Sequence, residues 1–136
     1  MGDVSIMKLC DFKVKVFDPD TDGFNTRAIN HSPCFQALNT GDPMAYNSYN
    51  HAMLLTEGLW KGKLEIRDHD HLLDLFHDIE NNGYRRDSFI KVGHGNICDG
   101  QHRASILLFL FGNVEVVWGS ERGTIVPVLK EGQWAR

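Results

Sequence analysis

The chain opens on a clear alternation. Phe12-Lys13-Val14-Lys15-Val16-Phe17 places apolar and basic residues on opposite faces, which predicts a half-exposed β-strand. Asp18-Pro19-Asp20-Thr21-Asp22-Gly23 then ends the strand with turn chemistry. That acidic run lacks the closing Glu of an EF-hand and contains Pro19, so it does not read as a calcium loop. Residues 25–45 hold Asn, Ser, Thr, Gly and two prolines, Pro33 and Pro43, and read mostly as loop. Over residues 46–60, Tyr46, Tyr49, Met53 and Trp60 fall at helical spacing and predict an amphipathic helix. A second helix follows. Asp68 or Asp70 can cap it, Leu72, Leu75, Phe76 and Ile79 form its apolar stripe, and Asn81-Asn82-Gly83 stops it.

The second half is more regular. Residues 89–92 and 96–98 read as two short strands joined by a Gly93-His94-Gly95 turn. Asp99-Gly100-Gln101-His102-Arg103 leads into residues 104–111, which are apolar nearly all round and predict a buried helix. Gly112-Asn113 stops that helix, and residues 114–118 begin another strand. The pattern is α+β, with a small mixed sheet and a buried helix in one domain spanning residues 1–136. Residues 1–65 form a loop-rich N-terminal part with one helix, and residues 66–129 form the core.

Composition narrows the function classes. The chain has 136 residues, 42% hydrophobic and 24% charged, which describes a globular domain with one core. Its longest apolar run, residues 106–111, is far short of the ~20 residues of a membrane span. Asp3 and Lys8 interrupt any signal sequence. Cys10, Cys34 and Cys98 are odd in number and widely spaced, which fits neither a disulfide framework nor a CxxC zinc site. A reducing, cytoplasmic setting follows. His69, His71 and His77 lack the i, i+4 spacing of a helical zinc site, so no metal site is assigned to them.

Charge is unevenly spread. Residues 1–82 carry 7 Lys/Arg against 13 Asp/Glu, whereas residues 83–136 carry 7 against 5. Arg85, Arg86, Lys91 and Arg103 share one stretch with His94 and His102, against Asp87 and Asp99. With a net charge of −4, such a patch suits a small anion such as phosphate better than a nucleic acid. The start of the buried helix is where that anion fits. A helix N-terminus presents unpaired N–H groups and partial positive charge. Gly100 permits close approach of a ligand, and His102 and Arg103 add donors. Asp99 can cap the helix, orient His102 or hold a metal–phosphate complex.

The run Asp99-Gly100-Gln101-His102-Arg103-Ala104 resembles the DG-x-HR signature of the ParB N-terminal/sulfiredoxin-like superfamily. The likeness spans roughly residues 66–129. Asn30-His31-Ser32-Pro33 and the stretch over residues 41–49 resemble ParB-like proteins of surface-polysaccharide gene clusters. The superfamily resemblance implies a ParB/sulfiredoxin-like fold. It also implies a nucleotide-phosphate site formed by Gly100, Gln101, His102, Arg103 and Ala104. Sulfiredoxins use a cysteine inside the motif, where this chain has Gln101, so that repair chemistry is not expected. Partitioning ParB proteins bind CTP and read DNA through a following helical domain, for which residues 104–136 leave no room. Free-serine kinases of the superfamily fit the retained residues best.

The expectation is therefore a nucleotide-dependent phosphotransferase, a kinase using ATP, ADP or CTP with Mg2+, acting on a small metabolite or sugar. Asp99 and His102 are its candidate catalytic residues, with Glu57, Glu65 and Asp68 as further carboxylates. The alternative is a non-catalytic nucleotide-sensing or scaffolding module; a nuclease or a DNA-binding protein is less favoured. Trp60, Trp118 and Trp134 offer an aromatic patch for a homodimer.

Overall fold

A computed structural model describes residues 7–18, 23–42, 44, 46, 69–119 and 123–136. Among the described residues, seven strands, β1 (Met7–Lys8), β2 (Lys13–Asp18), β3 (Gly23–Ala28), β4 (Ile90–Gly93), β5 (Asn96–Asp99), β6 (Glu115–Trp118) and β7 (Thr124–Pro127), form one mixed sheet. Their order is β1-β6-β7-β4-β5-β2-β3. Within this set of strands, β2 and β5 pair parallel and the other pairs are antiparallel. Among the described residues, the sheet is accompanied by α1 (Pro33–Thr40), α2 (His69–Asn82) and α3 (Gln101–Phe111). The chain is thus a compact α+β domain.

Strand β2 obeys its alternation, with Val14 and Val16 buried and Lys13 and Lys15 exposed. The hairpin is also where the pattern puts it. His94 and Gly95, with φ of 53° and 79°, form a two-residue turn whose left-handed residues match the twist of the flanking strands. Helix α2 buries Leu72 and Ile79, half-buries Leu75 and Phe76, and gives way to Gly83 at φ 89°.

Residues 25–45 depart from the expected loop, because they contain most of β3 and all of α1. The residues that suggest a loop here are cap residues. Ser32 is the N-cap of α1, its Oγ accepting from Phe35 N–H at 3.0 Å, and Pro33 occupies the first helical turn. Gly41, at φ 75°, closes the other end by donating to Ala37 O at 2.9 Å. Strand β3 has no apolar alternation because it is an edge strand, held by its register with β2. The helix expected over residues 46–60 lies outside the described residues, apart from the fully buried Tyr46. Asp68 lies outside them too.

Helix α3 begins at Gln101, inside the motif, and packs against α1, α2 and β4. Ala104, Ser105, Ile106 and Leu107 are buried there. Burial is not uniform, because Phe109 is 38% exposed and meets Phe35 and Phe76 edge-on at 6.2 and 5.6 Å. Ser105 Oγ lies 2.7 Å from Ser32 Oγ, joining α3 to the cap of α1. That bond satisfies two buried hydroxyls that would otherwise carry a desolvation cost. Of the tryptophans expected to form an aromatic patch, Trp118 is exposed, Trp134 is half-buried, and Trp60 lies outside the described residues.

The C-terminal segment closes over Gly83. Tyr84 N–H donates to Gln133 O at 2.9 Å, and Ala135 N–H donates to Tyr84 O at 2.8 Å. A Cβ on Gly83 would stand 2.5 Å from the Trp134 carbonyl carbon, at a φ of +89° that side chains resist. Gly83→Ala should therefore cost about 2–4 kcal/mol in urea unfolding, through backbone strain and overpacking together. A loss below about 0.5 kcal/mol would show that this closure does not hold the fold.

Candidate functional site

Two elements fix the start of α3. The β4–β5 hairpin ends at Asp99, and Gly100 turns the chain through φ 99° and ψ 23° into the helix. Asp99 itself ends β5, exposed and in register with Lys91. Gly100 takes the cap position, with no side-chain cap bond. Ala104 is fully buried and its N–H donates to Gly100 O at 2.9 Å. The earlier N–H groups of the turn have no intrahelical acceptor, as at every helix start.

A Cβ on Gly100 would sit 3.3 Å from Ile90 Cγ1 and 3.4 Å from Ile90 Cα. A side chain there would thus press closely on β4 at a φ that side chains resist. Close approach at Gly100 serves helix-to-strand packing.

The next three side chains diverge. Gln101 turns toward β2 and α1, its Nε2 donating to Lys15 O at 3.1 Å and its Oε1 accepting from the Cys34 thiol at 3.8 Å. Burial pushes the Cys34 thiol up to about 12, so it stays protonated and unreactive at neutral pH. His102 turns toward Tyr46, whose hydroxyl lies 2.7 Å from Nε2, and its ring centroid is 6.4 Å from that of His71. Arg103 turns a third way, into a cleft.

That cleft has a volume of about 560 Å³. Arg103, Arg85 and Lys91 supply its cations, and Tyr84, Ser88 and Thr124 line it beside them. Asp78 and Asp87 are its carboxylates. Arg85 lies 3.9 Å from Asp78, both partly exposed, a contact worth little by itself. Among the described residues Arg103 has neither an ion pair nor a hydrogen bond. Its charge is nevertheless felt by Tyr84. Burial raises the Tyr84 phenol well above its ordinary value, and the nearby guanidinium partly offsets that rise.

Of the cationic stretch seen in the sequence, the structure brings Arg85, Lys91 and Arg103 together. Arg86 turns away to Glu131, 3.1 Å distant, and to the Trp134 ring. His94 stays in the hairpin turn. Tyr46, Tyr84 and Thr124 complete these surroundings without any local sequence signal marking them. Among the described residues, no group of three His, Cys, Asp or Glu side chains could hold a metal ion. No helix among them is long and apolar enough to cross a membrane. Comparison with protein-family models, curated proteins and solved structures finds no match.

Because the left-handed step at Gly100 is a packing requirement, Gly100→Ala should lower unfolding stability by about 1–3 kcal/mol without any ligand present. Gly93→Ala is the control, since its Cβ would meet only Cys98 Sγ at an ordinary 3.4 Å. Equal stability of the two variants in chemical denaturation would contradict the packing account.

Proposed function

We propose that this chain has a ParB/sulfiredoxin-like core and binds the phosphates of a nucleotide in the Arg103 cleft. The proposed activity is transfer of a phosphoryl group to a small hydroxyl-bearing metabolite or sugar, in the cytoplasm. One observation carries the reading. A half-buried guanidinium faces a cleft with Lys91 and has no anionic partner among the described residues. Partial desolvation of a cation is costly unless an anion offsets it, and phosphate matches the guanidinium fork in shape and charge. The order α2, hairpin, Asp99-Gly100-Gln101-His102-Arg103, α3 and β6 agrees with the likeness read from the sequence.

Phosphoryl transfer asks the protein mainly to position groups and neutralise charge. Arg103 and Lys91 hold phosphate oxygens in this proposal. The acceptor hydroxyl attacks the terminal phosphorus, the bond to the bridging oxygen breaks, and the nucleotide leaves one phosphate shorter. Asp99, the exposed carboxylate at the end of β5, takes the acceptor's proton. His102, bonded to Tyr46 and turned away from the Arg103 cleft, steadies the first turn of α3 and is given no contact with the transferring group. Mg2+ would enter with the nucleotide and screen phosphate charge, and Asp99 would be the motif's carboxylate available to hold it.

Calorimetry with ATP, ADP and CTP in the presence of Mg2+ tests the binding half. Arg103→Ala should weaken the nucleotide that binds by about 1.5–3 kcal/mol, and unchanged affinity would remove the cleft from the account. Asp99→Asn tests the chemical half. It should keep most of the affinity and lose phosphate transfer, whereas full turnover would move the base elsewhere. Nucleotide binding by the parent protein without transfer to any of a panel of hydroxyl acceptors would favour a non-catalytic sensing module.

A further inference from the structure

A second and larger cleft, of about 990 Å³, adjoins the first. Asp78, Ile79, Arg85 and Asp87 line both, so the two share a wall. Beyond that wall the chemistry changes. Asn81, Arg86, Phe111, Gln133 and Trp134 line the second cleft, which adds amides and an indole to its arginines where the first has hydroxyls.

Arg86 lies over the Trp134 ring there. Its guanidinium carbon lies 4.8 Å from the Trp134 ring centroid, and Nη2 donates to Glu131 Oε1 at 3.1 Å. Tyr84 packs against the same indole edge-on, ring centroids 6.0 Å apart. A guanidinium stacked on one ring and oriented by a carboxylate offers a planar cation on its solvent side. Bases stack on such planes, and amides read their edges. Asp87, on the shared wall, has no ion pair or hydrogen bond among the described residues, and its carboxylate is placed to accept from sugar hydroxyls.

We infer that the two clefts form one groove for a whole nucleotide, with phosphates at Arg103 and Lys91 and the nucleobase stacked on Arg86 beside Asn81 and Gln133. This rests on the phosphate reading above and adds to it the seat of the base. It separates the functions of two neighbouring arginines. Arg85 borders the phosphates, while Arg86 carries the base.

The test compares tripolyphosphate, which has no base, with ATP and CTP by calorimetry on the full chain. Arg86→Lys keeps the charge and removes the planar fork, and Asn81→Ala removes an exposed amide at the end of α2. The parent protein should bind at least one of the two nucleotides about tenfold or more tightly than tripolyphosphate, the scale expected of one stacked base. Arg86→Lys and Asn81→Ala should each shrink that advantage and leave tripolyphosphate affinity unchanged. Thermal melts without ligand confirm that both variants fold. Equal affinity for tripolyphosphate and both nucleotides, or an advantage untouched by either variant, would overturn the seat of the base. Tripolyphosphate binding that Arg103→Ala does not weaken would overturn the phosphate reading instead.

Discussion

The left-handed step at Gly100, pressed against Ile90, is the constraint on which the position of α3 depends. A residue with a Cβ would crowd Ile90 and be strained at this left-handed φ. With glycine there, the first turn of α3 stands directly over the β4–β5 hairpin, and Arg103 shares a cleft with Lys91 of β4. The rest of the helix is secured behind it. Ile106 and Leu107 are fully buried, and the Ser32–Ser105 bond ties α3 to the cap of α1. Burying apolar side chains of that size contributes roughly 1.5–3 kcal/mol each, far more than any surface ion pair in this domain. The scaffold is therefore apolar and tightly turned, and the charged groups are borne on its rim.

That division explains how charge is used. Arg86 and Glu131 are exposed and close, a contact that orients a side chain without adding much stability. Arg103 differs because it is half-buried beside the buried Tyr84 phenol. At 4 Å an opposite charge is worth about 1 kcal/mol in bulk water and about 4 kcal/mol where the effective dielectric falls to ~20. A cation in that second setting gains most from an anion and is poorly served by water alone. Of the free thiols, Cys34 is buried and protonated, whereas Cys98 lies on the exposed side of β5.

Much of the fold was legible where periodicity and punctuation agree. Strand β2, helix α2, the β4–β5 hairpin and helix α3 all show it, because each carries either a clean apolar stripe or a glycine turn. Elsewhere one signal hid another. Ser32, Pro33 and Gly41 resemble loop residues, yet each caps or opens α1. Strand β7 has only the four residues Thr124–Pro127, too few to show alternation, although it sits between β6 and β4 in the middle of the sheet. The site was legible as charge and not as geometry. Gln101, His102 and Arg103 are consecutive, but a helix rotates about 100° per residue, so the three side chains reach β2, Tyr46 and the cleft respectively. Tyr84 and Thr124 reach Arg103 only through the closure of the C-terminal segment and of β7.

The most direct test of the account is a residue-resolved NMR titration of the full chain with tripolyphosphate, following backbone amides. The account predicts that the amides of Tyr84, Ser88, Lys91 and Arg103 shift most, together with those of the first turn of α3. Shifts confined to other surfaces, or no shifts at millimolar tripolyphosphate, would contradict a phosphate site at Arg103.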